Sequence, residues 1–143
     1  MDNTDLKILK LLQENARLTI RRIGELIGLT PPAAAERIKK MESHGVITGY
    51  HASVNPDKLG KNVRAYICVD VRKDKHAEFD AYCTASVAVV SFAKVIGTYY
   101  AILLVAVEKT TDLSDVLASI KQYGGTTTHT AVIIDEMFSN RPL

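Results

Sequence analysis

The sequence predicts an α+β protein in two parts, a three-helix unit followed by a βαββαβ unit. Three observations carry that expectation. Apolar residues recur at three- and four-residue spacing as far as His44, punctuated by Gly, Thr and Pro. The second half holds four apolar runs of strand type interrupted by two helical stretches. The 143 residues, 47% hydrophobic and 24% charged, suit one ordinary domain or two small ones and argue against wholesale disorder.

Leu6, Ile8, Leu9, Leu11 and Leu12 lie at helical spacing behind Asn3 and Thr4, both competent caps, and Asp5 adds negative charge to the first turn. A first helix is expected from Thr4 to Asn15. Thr19 caps a second, with Ile20, Ile23, Leu26 and Ile27 on its inner face and Gly28 as its stop. Thr30 caps a third with Pro31 at the first position, where a missing N–H does no harm; Ala34, Ile38 and Met41 form its inner stripe and Gly45 ends it. Val46 to Val54 then reads as an extended arm or wing, followed by the turn-rich Asn55-Pro56-Asp57-Lys58-Leu59-Gly60. The expected organisation is a helical domain over residues 1–50, an extended linker over 51–62 and a second domain over 63–143.

In that second domain, strands are expected over Arg64–Val71, Val87–Val95, Tyr99–Val107 and Thr128–Phe138. Lys75–Ala85, carrying Phe79, Tyr82 and Cys83, and a segment with Leu113, Val116, Leu117 and Ile120 inside, read as helices. The order is the ferredoxin-like split arrangement. The third strand is apolar on both faces, Ala101, Leu103, Val105 and Val107 on one and Ile102, Leu104 and Ala106 on the other. Both helices of a βαββαβ unit pack on the same side, so a second copy of the sheet is the expected cover for the remaining face.

Composition narrows the function. MDNTDLKILK lacks a basic region followed by an apolar stretch, and the longest apolar run, Tyr99–Val107, is about half the ~20 residues that cross a bilayer. Neither a signal peptide nor a membrane span is expected. Cys68 and Cys83 have no CxxC spacing and read as packed thiols, so a reducing cytoplasm is the expected home. His44, His51, His76 and His129 form no paired ligand motif, and no GxSxG or cysteine-based signature is present. No catalytic role, metal or cofactor is expected. Gly124-Gly125 reads as a helix terminator, and Thr126, Thr127, Thr128 and Thr130 as the start of a strand or a ligand-binding patch.

Net charge is only +2, but its distribution is uneven. Between Arg17 and Lys40 six basic residues face two acidic ones, whereas residues 61–143 carry nine of each. The surplus falls on the helical head, where it suits a phosphate backbone. A short second helix, the tight Gly28-Leu29-Thr30 turn and a third helix with small residues near its start form the layout of a helix-turn-helix, in which the third helix enters the DNA major groove. The inner stripe leaves Pro32, Ala33, Glu36, Arg37 and Lys40 outward. Pro32 and Ala33 carry no donor and offer close approach or a thymine-methyl contact, so part of the discrimination is expected from DNA shape. Lys40, Arg21 and Arg22 are the expected phosphate contacts, Lys39 is solvated, and Arg37 is open between DNA and a neighbouring carboxylate. With the cap residue Thr30 these make the expected DNA-binding set.

Asp5-x-x-Ile8-Leu9-x-x-Leu12-Gln13-x-Asn15-x-Arg17-x-Thr19, Gly28-Leu29-Thr30-Pro31, and Glu36-Arg37-Ile38-Lys39-Lys40-Met41-Glu42-x-x-Gly45-Val46-Ile47-x-Gly49-Tyr50 together resemble the N-terminal domain of the Lrp/AsnC (feast/famine) transcriptional regulators. Asn55-Pro56-x-x-Leu59-Gly60 carries the resemblance into the second half. It implies a sequence-specific DNA-binding regulator that binds double-stranded DNA, dimerises through its C-terminal sheets, associates further into octamers or another higher assembly, and is modulated by a small molecule such as an amino acid. The resemblance also puts the effector-binding residues at Gly97, Thr98, Tyr99, Tyr100, Thr128 and Thr130. Two positions depart from it. Arg22 replaces the family's capping-box Glu, which makes the second helix more basic. The family's Gly-x-Tyr/Phe-Asp loop reads Gly97-Thr98-Tyr99-Tyr100, without the carboxylate suited to an amino-acid ammonium. The alternatives are an architectural DNA-wrapping protein without an effector and, from a different class, an amino-acid-binding regulatory subunit of an enzyme.

Overall fold

The computed structural model describes residues 1–137. Among them Met1–Ser53 and Val54–Met137 form two compact units.

The first unit holds α1 (Asn3–Glu14), α2 (Ile20–Ile27) and α3 (Pro31–Ser43). Helix α1 starts one residue earlier than expected because Asp2, rather than Asn3 or Thr4, is the cap. Its Oδ1 accepts from the backbone N–H groups of Thr4 (2.8 Å) and Asp5 (2.9 Å), while Asp5 Oδ2 accepts from the Asp2 N–H (2.9 Å). This reciprocal box satisfies donors that a helix start leaves open. Thr19 caps α2 alone, through the Arg22 N–H. Thr30 caps α3 with Pro31 at its first position. Ile8, Ile23, Ala34, Ile38 and Met41 form one buried cluster where the three helices meet. Val46 to Val54 joins no sheet, and among the described residues no strand pairs with the arm to make a wing. It is tied instead by the Val46 and Ile47 N–H groups on the Met41 carbonyl and by the Tyr50 hydroxyl on Glu42 Oε1 (2.8 Å).

The second unit runs β1 (Val63–Val71), α4 (His76–Ala85), β2 (Val89–Lys94), β3 (Ala101–Val107), α5 (Thr110–Gln122) and β4 (Gly125–Val132), in the sheet order β2-β3-β1-β4 with every pairing antiparallel. Strand β2 begins at Val89 rather than Val87, because Val87 and Ala88 form a turn after α4, and both β2 and β3 are cut short where Val95 to Tyr100 turns as a loop. Strand β4 begins at Gly125 rather than Thr128 and ends at Val132, opposite Ala65 near the start of β1. Both glycines at its start are closely packed: a Cβ on Gly124 would lie 2.4 Å from Lys75 Cβ, and one on Gly125 would lie 2.6 Å from Ile120 Cγ2. Beyond Val132 the chain remains attached through the Ile133 N–H on the Arg64 carbonyl (2.8 Å) and an Arg64–Glu136 ion pair (2.7 Å). Phe138, the expected end of this strand, lies outside the described residues.

Register sorts the two faces of the sheet. Ala65, Ile67 and Val69 pair with Val105, Leu103 and Ala101, and all six are buried with Phe79 and Cys83 of α4 and Leu113, Val116 and Ile120 of α5. The alternate rows, Tyr66 opposite Leu104 and Cys68 opposite Ile102, point away from both helices. On that side Tyr66 is 45% exposed and Ile102 and Leu104 are half-buried. Among the described residues no helix is long and apolar enough to cross a membrane.

Candidate nucleic-acid interface and effector loop

Two glycines shape the α2–α3 corner in different ways. Gly28 ends α2 in the left-handed region (φ 75°), with open space where a Cβ would stand. Gly24, one turn earlier, accepts the Leu29 N–H at 2.9 Å, and a Cβ there would lie 2.6 Å from the Leu29 carbonyl oxygen. The turn therefore rests directly on α2. Gly24 was not legible in the sequence, where a glycine inside a helix reads only as a weak helix former.

The corner presents α3 with Pro32, Glu36, Lys39 and Lys40 exposed and Ala33 half-buried. Thr30 is exposed, its hydroxyl on the Ala33 N–H. Lys40 has no ion-pair partner among the described residues. On α2, Arg21 and Arg22 share Glu25 at 3.1 and 3.2 Å, with side chains 83% and 57% exposed. Such pairs at an exposed surface hold their partners weakly. Arg37 differs: its Nη1 donates to Asp5 Oδ1 (2.7 Å) and Asp2 Oδ2 (2.8 Å) at the start of α1. Of its two expected roles, the carboxylate partnership is the one observed. An open groove of about 550 Å³ is lined by Asp2, Asp5, Ala33, Glu36, Arg37 and Lys40, together with neighbouring residues of the head.

The expected effector residues do not form one cluster. Gly97 and Thr98 are exposed in the β2–β3 loop. The loop sends its two tyrosines to opposite faces of the sheet. The Tyr99 hydroxyl meets His129 Nδ1 (3.0 Å), and His129 lies opposite Cys68 on the open face. Tyr100 turns toward α4, stacks on His76 (centroids 3.8 Å apart), meets Phe79 edge-on and donates its hydroxyl to Asp80 Oδ1 (2.8 Å). Thr128 and Thr130 pair with Val69 and Ile67 and so share the helix-covered face, at the edge strand.

The loop tyrosine Tyr100 thus reaches a carboxylate of α4, Asp80, whose Oδ2 is paired with Lys94. Burial pushes the Asp80 carboxyl up, but hydrogen bonds from Lys94 and Tyr100 outweigh it and hold the group below the usual carboxylate range. Neither Asp80 nor Lys94 was singled out from sequence, because fourteen residues and a change of element separate them. Cys83 is buried, and burial first, then the nearby Asp80 charge, pushes its thiol up to about 11. Among the described residues no three His, Cys, Asp or Glu side chains are placed to hold a metal ion.

A glycine-turned helix pair with an exposed basic surface defines a helix-turn-helix DNA-binding protein. Residues 1–42 match the AsnC-type helix-turn-helix domain. The HTH-type transcriptional regulator YezC of Bacillus subtilis is 40% identical over 128 residues, which cover 90% of this chain and 91% of that protein. Among solved structures, a Neisseria meningitidis transcriptional regulator in complex with L-Met superposes with a TM-score of 0.93 at 26% identity, over 100% of this chain and 96% of that one. LrpC of Bacillus subtilis does so with a TM-score of 0.90 at 27% identity, over 97% and 98%. The chain belongs to the Lrp/AsnC family of transcriptional regulators.

Proposed function

We propose that this regulator reads double-stranded DNA by seating α3 in the major groove, with Lys40, Arg21 and Arg22 on flanking phosphates and Thr30, Pro32, Ala33 and Glu36 nearest the bases. The observation that carries this reading is the exposed α3 face, on which Lys40 forms no ion pair among the described residues. Neutralising phosphates releases counterions, so each such contact contributes about 0.9 to the slope of log affinity against log salt. Lys40→Ala is expected to weaken binding to all sequences alike and to flatten that slope by about 0.9, measured by fluorescence anisotropy on specific and random duplexes. A changed preference at one base pair with an unchanged slope would place Lys40 on a base instead.

Residues 1–50 act as the DNA-binding head, 51–62 as the linker and 63–143 as the assembly and sensing domain. The open sheet face around Tyr66, Ile102 and Leu104 supports a homodimer built sheet on sheet. The protein acts in the cytoplasm, where its DNA is, and has no catalytic role.

The L-Met complex of the Neisseria regulator supports an amino acid as the class of effector. In this chain the response is attenuated. Tyr100 stands where the family carries a carboxylate, and Asp80 is already satisfied by Lys94 and Tyr100. A charge-assisted hydrogen bond contributes about 1.5–3 kcal/mol, or roughly 10- to 150-fold in affinity. Titration calorimetry against the twenty amino acids is expected to give little heat with the natural protein and a gain with Tyr100→Asp. Tight binding by the natural protein, indifferent to changes at Tyr100, would remove this account.

A further inference from the structure

We propose that Asp2 and Asp5 are specificity-determining residues that act as a clamp, holding Arg37 of the recognition helix off the phosphate backbone so that it adds nothing to sequence-independent affinity. This rests on the DNA-facing reading of α3 and deepens it.

Arg37 follows Ala33 by four residues and precedes Lys40 by three, so the three share one side of α3. A free guanidinium beside Lys40 would be the natural phosphate ligand, since its planar fork matches a phosphate better than an ammonium does. Its Nη1 is instead held by Asp5 Oδ1 and Asp2 Oδ2 at 2.7 and 2.8 Å.

What distinguishes this contact from a surface ion pair is how the acceptors are fixed. Each carboxylate gives one oxygen to Arg37 and the other to the start of α1. Asp2 Oδ1 takes the N–H groups of Thr4 and Asp5, and Asp5 Oδ2 takes that of Asp2. Neither can follow Arg37 outward without uncapping its own helix. Arg21 and Arg22, by contrast, share a single glutamate on the same helix and are free to exchange it for phosphate. Backbone N–H groups and then Arg37 hold both aspartates below the usual carboxylate range, so both are charged near neutral pH.

The test uses the full chain and a random-sequence duplex, with affinity read by anisotropy between 50 and 200 mM salt for Asp2→Asn/Asp5→Asn, Arg37→Gln and the triple variant. Asparagine is also a good N-cap, so α1 is retained, which circular dichroism and thermal unfolding check. The double variant is expected to bind random DNA more tightly, with a salt slope steeper by about 0.9, so that its gain is roughly 3.5-fold larger at 50 mM than at 200 mM. Arg37→Gln alone should move the slope by less than half that amount. The triple variant should lose the extra slope. Three results overturn the clamp: no gain in the double variant, a gain that persists unchanged in the triple, which would trace it to lost negative charge alone, or a slope already flattened by Arg37→Gln alone. Lys40→Ala in the same series separates the two readings. If it too leaves the slope untouched, the DNA-facing assignment of α3 falls; if it flattens the slope while any of those three results holds, only the clamp falls.

Discussion

Leu104→Glu is expected to turn the protein into a folded monomer. Leu104 lies opposite Tyr66 near the middle of the sheet, on the face that neither α4 nor α5 covers. It is half-buried in the single chain, where a glutamate at the same place still reaches water. Under a second sheet it would not. A carboxylate buried without a partner costs about 3 kcal/mol or more, and a two-fold interface contains it twice, so dimerisation should weaken by roughly 10⁴-fold. Sedimentation velocity should show the change while the circular dichroism spectrum is retained. DNA affinity should fall with it, since linking two heads typically adds about 10²- to 10⁴-fold avidity. An unchanged sedimentation coefficient would move the interface to another surface.

Gly24→Val should abolish DNA binding and leave the second unit folded. The added Cβ would stand 2.6 Å from the Leu29 carbonyl oxygen, which is backbone and cannot swing aside as a side chain would. Relief requires moving the turn, and with it the start of α3. Overpacking of this kind costs about 1–3 kcal/mol. A head of this size is stable by only a few kcal/mol, at roughly 0.05–0.15 kcal/mol per residue. Gly28→Ala provides the contrast: nothing stands within 4 Å of its Cβ position, so the cost is confined to a left-handed backbone, about 1–2 kcal/mol. Two-stage thermal unfolding, with the first stage lowered more by Gly24→Val than by Gly28→Ala, is the expected outcome. The reverse order would mean that the turn is held by backbone conformation and not by contact.

Apart from the short 3-10 turns Asp57–Leu59 and Lys73–Lys75, the sequence by itself determined the type and order of the α-helices and β-strands. Those are local properties: the inner stripe of α3, its Thr30-Pro31 start and the Gly28 stop are each read within one helical turn, and the apolar runs of β1 and β3 declare strands before any partner is known. The helix-turn-helix and its basic surplus were legible for the same reason. Only the tertiary structure decided which apolar face of β3 the helices would cover, because periodicity marks both rows as apolar and only register and packing distinguish them. It also decided where charged side chains find their partners. Arg37 reaches aspartates 32 and 35 positions away, and Tyr100 reaches one 20 positions away. Neither pairing has a trace in spacing, since it comes from helices and loops brought side by side. Gly24 belongs with these: its need to be glycine arises from a carbonyl across the turn, at a distance that folding alone creates.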